Sequence, residues 1–282
     1  MKTAFIILHY QNIDVTHECI NSILGMEDLD NLRVVVVDNA SPNGSGQALS
    51  AEYADNPYVD VIINDGNLGF SKANNIGCEY ARTHWNPSVY VVANNDIVFC
   101  QKDFSKRVYD IFENEGFYIL GPDIYNTIRK VHQSPVAPDA PSISAINRTI
   151  RLNAICLNTL FLCYPLMKRW YAHKDPDIDA SGYDIRQENV MLQGACVVFS
   201  KTYMDERGRV FEPETNFFYE EAIFTNWCKR NHKKIIYDPS LVVHHYDGAS
   251  TKQVKSRIKF QMKNILDSAR IYREVLIESK NQ

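Results

Sequence analysis

Residues 33–38 read RVVVVD, from Arg33 to Asp38. Four consecutive valines leave no polar face, so the run predicts a strand covered on both sides, the mark of a parallel central sheet. Working outward, the same signature recurs in residues 3–8 (TAFIIL), 59–64 (VDVIIN) and 88–94 (SVYVVAN), each running into polar residues. Helical periods lie between them. One carries Cys19, Ile20, Ile23 and Leu24 on one face, with Asp14 or Thr16 as cap and Gly25 at its end. A second follows the polar loop NASPNGSG and runs through Tyr53. A third runs from Phe70 to about Thr83 with Phe70, Ala73, Ile76, Gly77, Tyr80 and Ala81 inward. This alternation predicts an α/β fold, an open, mainly parallel sheet with helices on both faces and right-handed crossovers. Ligands of such sheets bind beyond the carboxyl ends of the strands. That directs attention to Asp38, the 64–69 loop and the turn Asn94–Asp96.

The second half is less regular. Residues 134–142 (SPVAPDAPS) predict an exposed loop, and 146–172 a helix with Arg148, Arg151, Lys168 and Arg169 near its ends. Residues 188–200 (ENVMLQGACVVFS) predict a strand, Tyr219 to Asn231 a helix, 234–237 and 241–245 short strands, and the chain from about Gln253 a charged amphipathic helix.

The chain has 282 residues, 45% apolar, enough for a sizeable core. Its net charge of −4 argues against a general nucleic-acid binder. Seven cysteines, an odd number with no CxxC pair, argue against a disulfide framework and favour a reducing cytoplasm. The N-terminal apolar run, about five residues, is too short for a signal-peptide core. The stretch Ala154 to Met167 is interrupted by Asn and Pro and falls short of the ~18 residues of a membrane span.

Several groups of residues carry chemistry. Asn94-Asn95-Asp96 stands where a strand turns abruptly polar. A nucleotide diphosphate can be neutralised by Mg²⁺ or Mn²⁺, which take carboxylate, phosphate and water oxygens. Asp96 suits such a ligand, with an Asn amide in support; a plain strand-end turn is the competing account. Asp38 with Asn39 can accept from a base N–H or a ribose hydroxyl, or cap the next turn. In NDGNLGFSKANNIG (Asn64 to Gly77), Gly66 and Gly69 precede a helix start whose free N–H groups suit an anion, and Lys72, Asn74 and Asn75 sit early in that helix. Neither GxGxxG nor GxxxxGK[ST] is present. Phe218-Tyr219-Glu220-Glu221 opens a helix: its carboxylates complement the helix dipole, or one is a general base for a sugar hydroxyl, whose very high pKa demands a positioned proton acceptor. His244-His245 ends a strand; one can join a metal or a phosphate, or both are structural.

Taken together, VVVDNAS, NLGFSKANNIG, YVVANNDIVF, QGACVVF, FFYEE and YDPSLVVHHYDGAST, in this order over about residues 3–125 and 188–251, resemble inverting family-two glycosyltransferases with the GT-A fold, especially the rhamnosyltransferase-like branch. The resemblance implies a Rossmann-like, mixed but mainly parallel sheet and a smaller helical insertion on the acceptor side. It implies one domain over 1–282: a nucleotide-sugar-binding half (1–125), a variable, partly helical insertion (126–187), an acceptor and catalytic half (188–251) and a C-terminal helix (252–282). Asp38 and Asn39 would meet the nucleoside. Asn67, Gly69, Lys72, Asn74 and Asn95 would line the donor pocket, and Asp96 and His245 would hold Mg²⁺ or Mn²⁺. Glu220 and Glu221 would stand at the base position, with Glu221 aligned to the base itself. The implied donor is a UDP-hexose or dTDP-rhamnose, and the implied acceptor a saccharide or lipid-linked saccharide.

The sequence departs from that pattern in three places. Asn-Asn-Asp replaces Asp-x-Asp and leaves one carboxylate, Glu replaces the usual Asp as base, and Ala222 stands where some relatives have an acid. A catalytically weak sugar-nucleotide-binding protein stays open as an alternative. A sugar nucleotidyltransferase would show an early glycine-rich basic loop, and HYQNIDVTHECIN has neither Gly nor Lys. The apolar and basic stretch 148–170 suits peripheral contact with an anionic membrane, at the inner face of the cell membrane, or a core helix with a solvated rim.

Overall fold

A computed structural model describes residues 2–159, 179–246 and 254–279. The first half alternates as the periodicity predicts: β1 (Thr3–His9), α1 (Ile13–Leu24), β2 (Leu32–Asp38), α2 (Ser45–Glu52), β3 (Val59–Ile63), α3 (Phe70–Trp85) and β4 (Val89–Asn94). Then follow β5 (Ile97–Phe99), α4 (Phe104–Glu115), β6 (Ile119–Asn126), β7 (Val131–His132), α5 (Ile143–Asn158), β8 (Gln187–Glu188), β9 (Cys196–Ser200), α6 (Lys201–Arg207), α7 (Glu220–Arg230), β10 (Ile235–His245) and α8 (Val254–Glu278).

One sheet runs β3-β2-β1-β4-β9-β6-β10-β5, with β7 paired to β6 and β8 to β10. The β3-β2-β1-β4 block is parallel, as is β6 with β10, whereas β9 runs antiparallel between β4 and β6. The valine run explains the layering. Val34 and Val36 join one core with Phe5, Ile7, Cys19, Ile20, Leu49, Phe104 and Val108, so α1, α2 and α4 cover that face. Val35 and Val37 join the opposite core with Ala73, Cys78, Tyr203, Phe224 and Cys228, so α3, α6 and α7 cover the other. Each fully buried valine contributes about 1.5–3 kcal/mol. A smaller core joins α5, α7 and α8 through Ile146, Ala222, Ile223, Ala269 and Tyr272.

Four sequence expectations need correction. The cap of α1 is Asn12, whose side chain accepts from Val15 N at 3.4 Å, because Thr16 turns inward and is fully buried. The 134–142 loop is exposed only in part, since Ser134 and Pro135 are buried. Residues 188–200 are not one strand: the chain leaves β8 and re-forms as β9 only at Cys196, after Gly194 N has turned to a side chain. Segments 234–237 and 241–245 merge into β10, with a register shift between Asp238 and Val242. The helix expected over 146–172 is α5 as far as Asn158; Lys168 and Arg169 lie outside the described residues.

Candidate active site

Strand register assembles the edge that the sequence singles out. His9 pairs with Asp38, and Leu8 with Asn94, so the ends of β1, β2 and β4 lie level. The Asp38 carboxylate is buried, accepts the Ser41 N–H at 3.2 and 3.3 Å and also the Ser41 hydroxyl. Gly46 packs so close that a Cβ there would lie 2.1 Å from Asp38 Oδ2. His9 Nε2 stands 4.0 Å from Asp38 Oδ1, and burial lowers the His9 pKa despite that carboxylate. His9 Nδ1 meets Thr16 Oγ1 at 2.6 Å, and Asn95 donates its amide to the same oxygen at 2.8 Å. His9 Nε2 meets Ser45 Oγ at 2.8 Å, so His9, beside Asp38, links α2 through Thr16 to the Asn94–Asp96 turn.

Asn39 organises the loop after β3. Its amide nitrogen donates to Asn67 Oδ1 (3.1 Å) and to the Gly69 carbonyl (3.2 Å), and its oxygen accepts Leu68 N–H at 2.9 Å. Asn67 Oδ1 in turn accepts Gly69 N–H at 3.1 Å. Asn67 and Lys72 are exposed. Asn74 is buried; its nitrogen donates to the Phe70 carbonyl at 3.0 Å, and its oxygen has no hydrogen-bond donor. The structure therefore gathers Asp38, Asn39, Asn67 and Gly69 around one loop, with Lys72 on the outer surface of the helix that follows.

Asp96 and His245 meet although 149 positions separate them in the numbering, because β10 pairs antiparallel with β5 and sets His245 beside Ile97. His245 Nε2 lies 3.3 Å from Asp96 Oδ1, a buried oxygen that receives no hydrogen bond. On the other side of the ring, His245 Nδ1 meets Gln133 Oε1 at 2.7 Å. An amide oxygen only accepts, so Nδ1 is the donor of that bond, and in the neutral ring Nε2 presents a lone pair toward Asp96. An imidazole nitrogen and a buried carboxylate oxygen without a hydrogen-bond donor suit a divalent cation, completed by oxygens from elsewhere. The pair is too small to be a closed cage, and no cluster of three or more His, Cys, Asp or Glu suited to a metal occurs among the described residues.

The two glutamates part company. Phe218 (φ +74°) and Tyr219 (φ +73°) hold left-handed backbone just before α7, a conformation that is unusual for bulky residues and clusters at functional sites. Beyond this bend Glu220 turns inward and accepts the Thr215 hydroxyl at 2.7 Å. Burial, and then the adjacent Glu221, push its pKa up to about 8 against the pull of Thr215. Glu221 turns to the strand edge and accepts Gly194 N–H at 3.1 Å; burial raises its pKa, opposed by backbone N–H groups including that of Gly194. The next residue, Ala195, accepts Asn94 N–H on its carbonyl at 2.9 Å. Adjacent residues 194 and 195 therefore tie Glu221 to the turn that carries Asp96.

Sequence reasoning missed His9, Thr16, Gln133, Gly194 and Thr215. Only Gly194 left a signal, as the glycine of QGACVVF; the others are single polar residues whose partners are set by tertiary pairing.

Comparisons with known proteins bear on the family and the fold. Residues 4–167 match the model of the family described as Glycosyl transferase family 2. The low-salt glycan biosynthesis hexosyltransferase Agl10 of Haloferax volcanii is 28% identical over 123 residues, 44% of this chain; the match spans about a third (36%) of that relative's length. Among solved structures, S. aureus TarS 1-349 aligns with TM-score 0.57 at 12% identity, covering 96% of this chain and 72% of that one. Its complex with UDP-GlcNAc gives 0.56 at 14% identity, with 95% and 66% covered. GalNAc-T7 with UDP, GalNAc and Mn²⁺ gives 0.61 at 12% identity, with 90% and 45% covered. These likenesses show the GT-A fold. With the family model covering more than half of the chain, the protein belongs to glycosyl transferase family 2.

Proposed function

We propose that the chain is an inverting glycosyltransferase that moves a sugar from a nucleotide-diphosphate donor to a hydroxyl of a saccharide or lipid-linked saccharide in surface polysaccharide biosynthesis. UDP-hexose and dTDP-rhamnose both suit the reading. The observation that carries it is the tie just described: Gly194 holds Glu221 at 3.1 Å while Ala195 holds the Asn94 backbone at 2.9 Å. A candidate base and a candidate metal ligand thereby share one strand edge.

Asp96 and His245 would hold the cation, and their mixed oxygen and nitrogen donors favour Mn²⁺ over Mg²⁺. Bound there, the ion would neutralise the diphosphate as it leaves. Asn39, Asn67 and Gly69 shape the loop that meets the nucleotide, with Asp38 and Asn95 fixing the loop and turn on either side, and Lys72 and Asn74 opening the helix beyond. Glu221 takes the proton of the acceptor hydroxyl as its oxygen bonds to the anomeric carbon. The bond from that carbon to the diphosphate oxygen breaks, and its electron pair leaves with the diphosphate. Attack opposite the leaving group inverts the centre. Burial brings the Glu221 pKa nearer the working pH, which strengthens it as a base. Release of nucleoside diphosphate from UDP- and dTDP-sugars, with and without Mn²⁺, tests the reading. Turnover lost in Asp96→Ala and Glu221→Gln supports it, and a wild-type chain inert toward every donor refutes it.

Helix α5 supports peripheral membrane contact within 148–170. Arg148 and Arg151 line an open cavity of about 410 Å³ with Ser144, Asn147 and Leu152, and neither forms an ion pair among the described residues. Leu152 and Ile155 beside them are 51% and 60% exposed. No described helix is long and apolar enough to cross a membrane. Co-sedimentation with anionic vesicles that survives Arg148→Glu with Arg151→Glu would sink this part of the reading.

A further inference from the structure

The donor-side loop and the helix that carries Glu221 are clasped by buried polar contacts between segments 144 residues apart. Gly69 (φ +78°) has no room for a Cβ, which would stand 2.5 Å from Asn216 Oδ1 and 2.9 Å from Asn216 Cα. Phe70 N–H donates to the Asn216 carbonyl at 2.6 Å. Asn75 donates to the Phe211 carbonyl at 2.9 Å and accepts Phe211 N–H at 3.0 Å. Between these two fastenings lies a chain of hydroxyls: Ser71 Oγ to Thr215 Oγ1 at 3.0 Å, Thr215 N to Ser71 Oγ at 3.2 Å, and Thr215 Oγ1 to Glu220 Oε1 at 2.7 Å. Ser71 accepts the Thr215 N–H, and either hydroxyl can donate in the Ser71–Thr215 contact, so the chain serves Glu220 whether its carboxyl carries a proton or not.

Glu220 ends this chain among Val210, Phe211, Glu212, Pro213, Ile223 and Phe224, in a pocket with no room for water. It is 6% exposed, and its carboxyl faces Thr215 rather than the strand edge to which Glu221 turns. A group so enclosed reaches neither donor nor acceptor. Hydroxyls confined in this way transmit small displacements, because a buried acceptor that loses its donor is left unsatisfied. Glu221 is the next residue on the same first turn of α7, so whatever holds Glu220 also holds the Glu221 backbone.

We infer that Glu220 is a positioning residue: through Thr215 and Ser71 it fastens the start of α7 to the start of α3, so that occupancy of the donor loop sets where the Glu221 carboxylate stands. The inference rests on the glycosyltransferase reading above.

Kinetics and hydrogen exchange on the full chain test it, with UDP- and dTDP-sugars as probes. Thr215→Val breaks the chain with little change of shape, and Thr215→Ser keeps it. Thr215→Val is expected to lower kcat about tenfold while the donor Kd stays within about threefold, and Thr215→Ser to restore kcat. Glu220→Gln keeps an oxygen that accepts from Thr215; it should stay within about tenfold of wild type, against a loss of about a hundredfold or more in Glu221→Gln. Donor binding should protect the amides of 215–221 from exchange in wild type and Thr215→Ser, but not in Thr215→Val. Glu220→Gln as inactive as Glu221→Gln overturns the inference and makes Glu220 the base. Thr215→Val with wild-type kcat and protection also overturns it, leaving the clasp purely structural. A wild-type chain that neither turns over nor is protected by any nucleotide sugar refutes the underlying reading, and the inference falls with it.

Discussion

Gly194 donates its backbone N–H to Glu221 Oε1 at 3.1 Å, and a Cβ on residue 194 would lie 2.3 Å from that same oxygen. The glycine is therefore needed for the approach of the carboxylate rather than for a left-handed backbone. Its replacement acts on Glu221 alone. In Gly194→Ala the methyl forces the carboxylate aside, and a displacement near 1 Å can slow a reaction about a hundredfold. The expected result is kcat reduced by about ten- to a hundredfold, with nucleotide affinity by calorimetric titration unchanged. Wild-type kcat in this variant would remove Glu221 from the base position.

Burial raises the Glu221 pKa above the ordinary glutamate value of 4.5. A base must be ionised, so the rate should rise with pH through an inflection that lies above the usual glutamate range. Measurement of kcat from pH 4 to 9 checks this. Glu221→Asp, which withdraws the carboxylate by about one carbon–carbon bond, should keep a pH-dependent residual rate, whereas Glu221→Gln should lose the inflection together with about 10²–10⁴ of the rate. An unshifted inflection in Glu221→Asp at full activity would contradict the assignment.

Glu220 gives stability its own pH dependence. Its folded pKa of about 8 exceeds the unfolded value of about 4.3. Between those values the folded chain keeps a proton that the unfolded chain has released. The contribution is complete below about pH 4.3 and is lost as pH rises to about 8, at up to about 1.4 kcal/mol per pH unit. Glu220→Gln has no such dependence, so its melting temperature should gain on wild type steadily from pH 5 to pH 8. Parallel melting curves for the two chains would show that Glu220 is ionised in the fold.

These predictions depend on features that the sequence exposes unevenly. The valine run, the short strands around it and the turn at Asp96 are legible because burial on two faces leaves a local imprint. The Glu220-Glu221 pair is visible as a pair, yet its division of labour is not: two left-handed residues, Phe218 and Tyr219, send one carboxylate inward and the other to the strand edge. No local pattern encodes that bend. Gln133 is equally silent, since its link to His245 exists only because the chain after β7 passes the end of β10. The expectation of a continuous strand over 188–200 failed for a related reason. Gln193 and Gly194 lie in an apolar stretch of sequence, but the Gln193 side-chain oxygen accepts the Ala195 N–H and the Gly194 N–H donates to Glu221, so neither backbone N–H joins the sheet here.

The contact between Gln133 and His245 yields the last prediction. In the neutral ring Gln133 Oε1 keeps the proton on His245 Nδ1, which leaves Nε2 as a lone pair 3.3 Å from Asp96 Oδ1. Without that acceptor the ring is free to move its proton to Nε2 and donate to Asp96, which satisfies the orphan oxygen and closes the gap to a cation. Gln133→Leu should therefore weaken Mn²⁺ binding by about 10–100-fold, the usual effect of removing a group that orients a ligating histidine. Asp96→Asn should abolish it. Free Mn²⁺ measured by electron paramagnetic resonance in the presence of UDP reads the affinity directly and needs no turnover. Gln133→Glu separates orientation from charge: its carboxylate still accepts from Nδ1, so Nε2 keeps its lone pair and affinity should be retained or raised. If Gln133→Leu binds Mn²⁺ as wild type does while Asp96→Asn does not, His245 is not a ligand, and its approach to Asp96 serves only to fasten β10 to the turn after β4.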